Sequence, residues 1–349
     1  MRITKCVRRL EAYTPGEQPK AKNIIKLNTN ENPYPPSPKC AAILKRFDLD
    51  RFRRYPDPEF ADLRAALAKL NRTRPENVFV GNGSDEILSL AARAFVENDE
   101  SIGSLDPSYS LYKTLAAIRD VKWVGCNPLS RLEAIEVLER ESVSLFLLTN
   151  PNAPTGTFAE PREIANFARR FRGVVLIDEA YADFARTNCM PLAAAKANRN
   201  IIVMRTFSKS YSLAGLRVGY CVGPKDLIDA LYKVKDSYNV DAIAQRVALA
   251  AVKDQRWMKA NVARVVKSRA DLTAELVRRG WDVLPSESNF IFAKPPRRSA
   301  ASVFNALRAR NIFVRYFPLP KTKDRIRITI GTPAQMKKLL KALDELDIR

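Results

Sequence analysis

The chain has 349 residues, of which 46% are hydrophobic and 28% charged, a balance typical of folded proteins that excludes a disordered chain. Lysine and arginine number 59 against 38 acidic residues, giving a net charge of +21. These basic residues are dispersed in short runs, so we predict no nucleic-acid partner. Histidine is absent, which excludes Ser-His-Asp and Cys-His catalysis and any metal site built on imidazole. No metal site is predicted.

The hydropathy pattern and the cysteines indicate where in the cell the protein is located. No apolar run reaches the roughly 18 residues of a membrane helix, and the first ten residues carry no apolar block of a secretory signal. The cysteines are odd in number and widely spaced, which favours reduced thiols. We therefore predict a cytoplasmic location and no membrane partner. The cysteines are Cys6, Cys40, Cys126, Cys189 and Cys221.

Short runs rich in Val, Ile and Leu alternate with helical stretches from about residue 77 to residue 223. Such runs are typical of strands buried on both faces. The alternation predicts an α/β fold, with a mostly parallel sheet sandwiched by helices. The predicted strands are Val78–Gly81, Ser101–Leu105, Val121–Gly125, Ser144–Thr149, Val174–Asp178, Ile201–Arg205 and Val218–Val222.

The two ends of the chain have a different character. Residues 1–32, with Pro15-Gly16, predict an extended arm that joins a small domain, and residues 33–240 predict the large domain. A helical pattern from Tyr238 to Gly280, with room for a break, is long enough to bridge two domains. Residues 241–349 thus predict an interdomain helix and a smaller α+β domain. Its predicted elements are strands Trp281–Leu284, Asn289–Ala293, Ile312–Arg315 and Arg325–Ile330, and helices Ser302–Arg310 and Pro333–Leu346.

The segment from Arg205 to Tyr220 places Lys209 just beyond an apolar strand. A lysine at the carboxyl end of a strand suits a Schiff base when burial and nearby cations depress its pKa. Thr206, Ser208 and Arg217 together offer the donors for a phosphate monoester. An ordinary surface loop is the alternative interpretation.

Three further segments follow predicted strands. Gly81–Glu86 opens a helix, whose free N–H groups attract an anion, although the third glycine of the dinucleotide fingerprint is missing. Asp178 ends a buried strand and needs a partner, either a helix N-terminus or a pyridinium nitrogen. Asn150–Gly156 is a turn that a plain connection would also explain.

Together, in this order, these motifs resemble the fold-type I pyridoxal-phosphate aminotransferases, and among them the histidinol-phosphate branch. The resemblance covers nearly the whole chain and implies pyridoxal 5'-phosphate as cofactor. The segments that carry it are Leu27–Tyr34, Tyr55–Asp57, Gly81–Glu86, Pro107–Ser110, Asp178–Tyr181, Arg205–Lys209, Tyr238–Val240, Ser288–Phe290 and Arg327–Thr329.

The resemblance implies catalytic roles for three residues. Lys209 matches the Schiff-base lysine, which then moves the substrate proton. Asp178 matches the partner of the pyridine nitrogen, and Tyr181 a donor to the phenolic oxygen. A second donor is usually the asparagine before the second proline of the turn. Here that residue is Ala153. Either Asn152 replaces it, which we favour, or Tyr181 acts alone.

The other cofactor contacts also come from the resemblance. Tyr109 matches the residue that stacks on the ring. Tyr55 matches a tyrosine that reaches the phosphate from the other subunit, which implies a homodimer with shared active sites. The phosphate contacts implied within one subunit are Ser84, Asp85, Thr206, Ser208 and Arg217.

Two arginines match residues that hold the acidic groups of the substrate, Arg327 and Arg315. The alternative is a surface strand on which Arg325 and Arg327 share a face. The resemblance also places Tyr13, Asn30 and Asn239 at the substrate end.

The implied reaction is amino transfer from L-histidinol phosphate to 2-oxoglutarate, giving imidazole-acetol phosphate and L-glutamate in histidine biosynthesis. An aromatic amino-acid aminotransferase remains an alternative, because it shares nearly all these motifs. A threonine-phosphate decarboxylase is another, since the same scaffold can break a different bond at the substrate alpha carbon. A binding protein that retains the scaffold without its chemistry is a distant one.

Overall fold

Three sheets organise the chain in the computed structural model, which describes residues 2–10, 17–19, 23–126, 132–195 and 197–346. The strands are β1 (Ile25–Lys26), β2 (Val78–Gly81), β3 (Ser101–Leu105), β4 (Lys122–Cys126), β5 (Val143–Thr149), β6 (Val174–Asp178), β7 (Ile201–Thr206), β8 (Gly219–Val222), β9 (Asp282–Val283), β10 (Phe290–Lys294), β11 (Ile312–Phe313), β12 (Arg315–Tyr316) and β13 (Ile326–Thr329).

The largest sheet has seven strands in the order β2-β8-β7-β6-β5-β3-β4. Strand β8 runs antiparallel to both its neighbours, β2 and β7, and the other neighbouring strands in this sheet pair in parallel. The predicted α/β fold with a mostly parallel sheet is therefore confirmed. Strands β5, β6 and β7 are almost wholly buried because apolar cores cover both faces of the sheet. The predicted bounds of β4, β5, β7 and β8 differ from those observed by one residue.

Helices pack on both faces of this sheet and around the smaller sheets. Among the described residues, no helix combines the length and apolarity that crossing a bilayer requires. The helices are α1 (Lys5–Arg9), α2 (Pro38–Lys45), α3 (Ala61–Leu70), α4 (Ser84–Ala94), α5 (Leu111–Arg119), α6 (Leu132–Arg140), α7 (Pro161–Arg170), α8 (Met190–Ala194), α9 (Lys225–Val234), α10 (Ala242–Val252), α11 (Gln255–Arg278), α12 (Ala300–Ala309) and α13 (Pro333–Glu345).

A four-stranded antiparallel sheet, in the order β12-β13-β10-β9, lies in the C-terminal part of the chain. It shares a core with α11, α12 and α13. The helical pattern predicted between Tyr238 and Gly280 is divided into α10 and α11, with Lys253 and Asp254 between them. The 24-residue helix α11 contacts both α10 and the small sheet.

Two predictions for the smaller elements are wrong. The single strand predicted at Ile312–Arg315 is two strands, because β11 pairs with β1 in a two-stranded parallel sheet while β12 pairs with β13. The buried Val314 is the point where the chain passes between the two sheets. The N-terminal arm is not extended throughout, since α1 forms within it and packs against α5. Pro15-Gly16 lies outside the described residues.

Candidate active site

The carboxyl ends of β5, β6 and β7 open into a cavity of about 390 Å³. The N-terminus of α4 forms another wall. Residues 28–31 of the arm also line the cavity, as do Arg315 and Arg327 of the four-stranded sheet, here called the small sheet. The cavity therefore lies between the seven-stranded sheet and the small sheet. Parallel strands bring the residues at their carboxyl ends to one edge, which is why residues distant in sequence share this cavity.

Lys209 follows β7 and lines the cavity. Its Nζ donates to the carbonyl oxygen of Thr29 at 3.2 Å. Burial, followed by the positive charge of Arg327, lowers the pKa of Lys209 to about 8. The side chain of Asn32 donates to the Lys209 carbonyl at 3.0 Å, which ties the lysine loop to the arm. An amine with this pKa exchanges its proton readily near neutral pH.

Asp178 ends β6 and is 4% exposed. Its Oδ1 accepts from the backbone N–H of Ala180 at 3.1 Å, and its Oδ2 accepts from the hydroxyl of Tyr112 at 3.0 Å. Burial raises the pKa of Asp178 to about 6, and the bond from Tyr112 opposes that rise. The described residues form no ion pair with this carboxylate, so a cationic group in the cavity would complete its environment.

The first turn of α4 forms a cup with the segment after β7. A Cβ on Gly219 would lie 2.6 Å from the backbone nitrogen of Ser84, so this glycine lets β8 approach the helix N-terminus. Gly83 has φ +83°, and a Cβ there would lie 2.7 Å from Nη2 of Arg217. N–H groups at a helix N-terminus attract anions, so this cup suits a phosphate group.

Hydroxyl and guanidinium groups line the other side of this cup. Thr206 donates to Oγ of Ser208 at 3.0 Å, and the Ser208 Oγ lies 3.4 Å from Nη1 of Arg217. Nη2 of Arg217 lies 3.3 Å from Oδ2 of Asp85. The five predicted phosphate contacts, Ser84, Asp85, Thr206, Ser208 and Arg217, are therefore brought together in the structure.

Two tyrosines contribute to the cavity wall. The hydroxyl of Tyr181 accepts from Nδ2 of Asn30 at 2.9 Å, and the ring packs edge-on against Phe290. Tyr109 packs edge-on against Tyr112, with ring centroids 5.7 Å apart. Tyr181 and Tyr109 both line the cavity, as does Asn30.

Arg315 and Arg327 are opposite each other in the register of β12 and β13, so both side chains face the cavity. Each guanidinium lies close to the ring of Phe317, at 5.4 and 5.3 Å from its centroid, and Nη2 of Arg327 donates to the carbonyl of Asn28 at 3.0 Å. Arg325, by contrast, pairs with Asp282 outside the cavity. The interpretation in which Arg325 and Arg327 share a surface face is therefore wrong.

Three predicted residues do not line the cavity. The amide of Asn152 is engaged elsewhere, accepting from Ser108 at 3.0 Å and donating to the Pro107 carbonyl at 3.0 Å, while Ala153 faces the cavity. Asn239 donates to the carboxylate of Glu86, a residue of α4, at 2.6 Å. Of the two alternatives for the turn, the geometry favours Tyr181 acting without Asn152.

Tyr55 is the third predicted residue that does not line the cavity. It is 80% exposed and stacks on Tyr238 with ring centroids 4.3 Å apart. Tyr13 lies outside the described residues. Sequence reasoning missed Tyr112, Thr149, Thr29 and Phe317. No local pattern in the sequence pointed to Tyr112 or Thr29, because their contacts with other site residues join positions far apart in the chain.

The family of the chain follows from comparison with known proteins. The family model for aminotransferase class I and II matches residues 22–343. The chain belongs to the class I and II aminotransferase family. This aminotransferase is 44% identical over 346 residues to histidinol-phosphate aminotransferase 1 of Bradyrhizobium diazoefficiens, with 97% of each chain covered.

Two other comparisons point the same way. The aminotransferase is 42% identical to the histidinol-phosphate aminotransferase of Geobacter sp. strain M21, covering 97% of this chain and 96% of the relative. The crystal structure of histidinol-phosphate aminotransferase from Sinorhizobium meliloti in complex with pyridoxal-5'-phosphate superposes with a TM-score of 0.89. It is 27% identical and covers 99% of this chain and 97% of the other.

Proposed function

We propose that this aminotransferase transfers the amino group of L-histidinol phosphate to 2-oxoglutarate, giving imidazole-acetol phosphate and L-glutamate, within histidine biosynthesis. The observation that carries the proposal is that Lys209, with its lowered pKa, shares one cavity with Arg315 and Arg327. The names of the relatives at more than 40% identity support the choice of substrate.

We propose pyridoxal 5'-phosphate as the cofactor, because the residues of the cavity fit its three polar parts. The cup at the start of α4 suits the phosphate, and Gly219 leaves its backbone nitrogens uncovered. Asp178 suits a protonated pyridine nitrogen, and Tyr181 suits the phenolic oxygen. Tyr109, which lines the cavity, would stack on the ring. When bound, the cofactor supplies an aldehyde that accepts amino groups and a ring that takes up electrons from the substrate carbon.

The residues of the chain supply the proton chemistry. Nζ of Lys209 takes the proton from the substrate Cα, because a pKa of about 8 leaves a useful neutral fraction near neutral pH. The Thr29 carbonyl holds this amine at 3.2 Å. Asp178 would keep the ring nitrogen protonated through its negative charge. We therefore propose Lys209, Asp178 and Tyr181 as the catalytic residues.

Arg315 and Arg327 would bind the acidic group at the far end of either substrate. A guanidinium forms paired hydrogen bonds with phosphate and with carboxylate, so the same arginines serve the amino donor and the 2-oxo acid in turn. The ring of Phe317 lies against both guanidiniums and limits their movement.

We further propose a homodimer in the cytoplasm. Four large apolar side chains between residues 44 and 55 are exposed to solvent in the single chain. They are Leu44, Leu49, Phe52 and Tyr55. A partner subunit on this surface would cover them and bring Tyr55 to the phosphate cup of the other site. The five cysteines are all free, as expected for a reducing compartment.

A half-reaction assay tests the substrate. The protein loaded with pyridoxal phosphate is mixed separately with histidinol phosphate, glutamate, phenylalanine and threonine phosphate, and the visible absorbance of the bound cofactor is followed. We expect rapid loss with histidinol phosphate and glutamate. Phenylalanine as the fastest donor would instead indicate an aromatic aminotransferase, and carbon dioxide release from threonine phosphate a decarboxylase. A protein that binds no pyridoxal phosphate would contradict the proposal as a whole.

A matched pair of variants tests the substrate arginines. Loss of a hydrogen-bonded charged group typically costs about 1.5–3 kcal/mol, so Arg327→Gln is expected to lower kcat/KM for histidinol phosphate about 10- to 100-fold. Arg325→Gln is the control, because that side chain pairs with Asp282 outside the cavity. Equal losses in both variants would show that Arg327 acts only through the stability of the small sheet.

A further inference from the structure

Tyr112 forms the centre of a buried group of hydroxyls behind Asp178. Its side chain is fully buried, and its hydroxyl lies 3.0 Å from Oδ2 of Asp178 and 2.5 Å from Oγ1 of Thr149. Thr149 and Asp178 are opposite each other in the register of β5 and β6, so α5 places Tyr112 against both strand ends at once.

The direction of these hydrogen bonds follows from the charge of Asp178. An ionised carboxylate only accepts, so the Tyr112 hydroxyl donates to Asp178 and in turn accepts from Thr149. Burial, together with the negative charge of Asp178, raises the pKa of Tyr112 well above its ordinary value. Tyr112 therefore keeps its proton throughout the working pH range and remains a donor.

We propose that Tyr112 is a positioning residue that stabilises the ionised form of Asp178 and fixes the direction of its carboxylate. This inference rests on the proposed cofactor. The proton shared by Asp178 and the ring nitrogen stays on the nitrogen only if the carboxylate is the weaker base. A hydrogen bond to the ionised carboxylate makes it a weaker base.

Tyr112 also supports a second wall of the cavity. Its ring meets the ring of Tyr109 at an interplanar angle of 82°, an edge-to-face arrangement that aromatic pairs prefer. Tyr109 is the side chain proposed to stack on the cofactor. Tyr112 thus contacts both Asp178, which would bind the edge of the cofactor ring, and Tyr109, which would stack on its face.

The test is nitrogen-15 nuclear magnetic resonance of holoenzyme that contains pyridoxal phosphate labelled in the ring. In Tyr112→Phe, the proton equilibrium is expected to shift about ten-fold toward Asp178, the equivalent of roughly one pKa unit, since one stabilising hydrogen bond is lost. The ring signal then moves toward that of unprotonated pyridine. Thr149→Val keeps Tyr112 but removes the hydroxyl that donates to it. For this variant we expect a smaller shift of the ring signal in the same direction.

Tyr232→Phe is the control, because that hydroxyl is also buried in the large domain but has no hydrogen-bond partner among the described residues. Its ring signal is expected to match the wild type. If the wild type binds the cofactor and Tyr112→Phe leaves the ring signal unchanged, the role of Tyr112 is wrong while the proposed function stands. If the wild type binds no cofactor, both are wrong. Thr149→Val keeps the question answerable if Tyr112→Phe does not fold.

Discussion

At the scale of single residues, the cavity holds two ionisable side chains whose environments oppose their charged forms. Burial lowers the pKa of Lys209 to about 8 and raises that of Asp178 to about 6. Each shift means that the folded protein without cofactor is less stable than it would be with a neutral side chain at the same place. The proposed cofactor would relieve both, because it would provide a cation for Asp178 and a covalent partner for Lys209.

We expect Lys209→Met to stabilise the cofactor-free protein by about 3 kcal/mol near pH 7, since burial lowers the pKa of Lys209 from 10.5 to about 8 and one pKa unit corresponds to about 1.4 kcal/mol. Between pH 8 and 10.5 the unfolded chain holds a proton at Lys209 that the folded chain lacks, so wild-type stability rises with pH across this window. The advantage of the variant should therefore shrink there. Urea unfolding at several pH values measures it.

The matched control for this prediction is Lys267→Met. Lys267 is exposed and pairs with Asp271 one turn along α11, and such pairs contribute only about 0.3–0.5 kcal/mol. Its effect on the free energy of unfolding is expected to be small. A Lys209→Met advantage that stays constant from pH 7 to 10.5 would mean that the lysine is not destabilised by its burial.

At the scale of elements, the contact between β8 and the start of α4 decides whether the phosphate cup is open. Gly219→Ala puts a methyl group 2.6 Å from the Ser84 nitrogen, and the first turn of the helix must move. We expect the affinity for pyridoxal phosphate to fall at least about ten-fold, because loss of one charge-assisted hydrogen bond alone costs that much. Binding of pyridoxal, which has no phosphate, should change far less.

Gly215→Ala provides the comparison within the same segment, since no described atom lies within 4 Å of a Cβ at that position. Fluorescence titration with both ligands measures all the affinities. If Gly219→Ala weakened pyridoxal as much as pyridoxal phosphate, the damage would extend beyond the cup.

The elements that the sequence predicted well are those defined by local pattern. Asp178 and Lys209 follow buried apolar runs, and parallel strands bring such positions to one edge of the sheet. The role of Tyr112 was not predictable, because its contacts with Thr149 and Asp178 join residues 37 and 66 positions apart. No periodicity records such a contact.

Side-chain direction within turns was also beyond the sequence. Asn152 and Ala153 are adjacent in the turn, but their side chains point in different directions. Ala153 lines the cavity, whereas the side-chain amide of Asn152 bonds to Ser108. The division of the strand at Ile312–Arg315 depends on pairing with β1, about 290 residues earlier. The catalytic and binding roles of the site residues stay predictions until variants are measured.

At the scale of the whole molecule, the arm connects the two sheets that form the cavity. Asn30 donates to Tyr181 beside the large sheet, and its backbone nitrogen donates to Thr329 of the small sheet. The φ of Asn30 is +56°, which is unusual for a residue other than glycine. In this conformation its side-chain amide reaches Tyr181 while its backbone nitrogen reaches Thr329. The division into an arm of residues 1–32 and domains of residues 33–240 and 241–349 stays a prediction.

The proposed dimer can be tested by mixing inactive subunits. Tyr55→Ala and Lys209→Ala protomers, dissociated and reassociated together, are expected to recover about a quarter of wild-type sites, because half the dimers are hybrids with one complete site. Mixing Lys209→Ala with Arg217→Ala should recover nothing, since both residues line the same cavity. Turnover at limiting pyridoxal phosphate measures the recovery. Equal results for the two mixtures would place Tyr55 outside the partner's site.

The burial of Lys209 and Asp178 has a consequence for how much of this protein a cell retains. A ligand that binds only the folded state lowers the unfolded fraction, and proteases act on unfolded chains. A molecule without its cofactor carries both uncompensated side chains and so unfolds more often. We expect its half-life in the cell to shorten when cofactor is scarce, so that the amount of enzyme follows the supply of the molecule it needs.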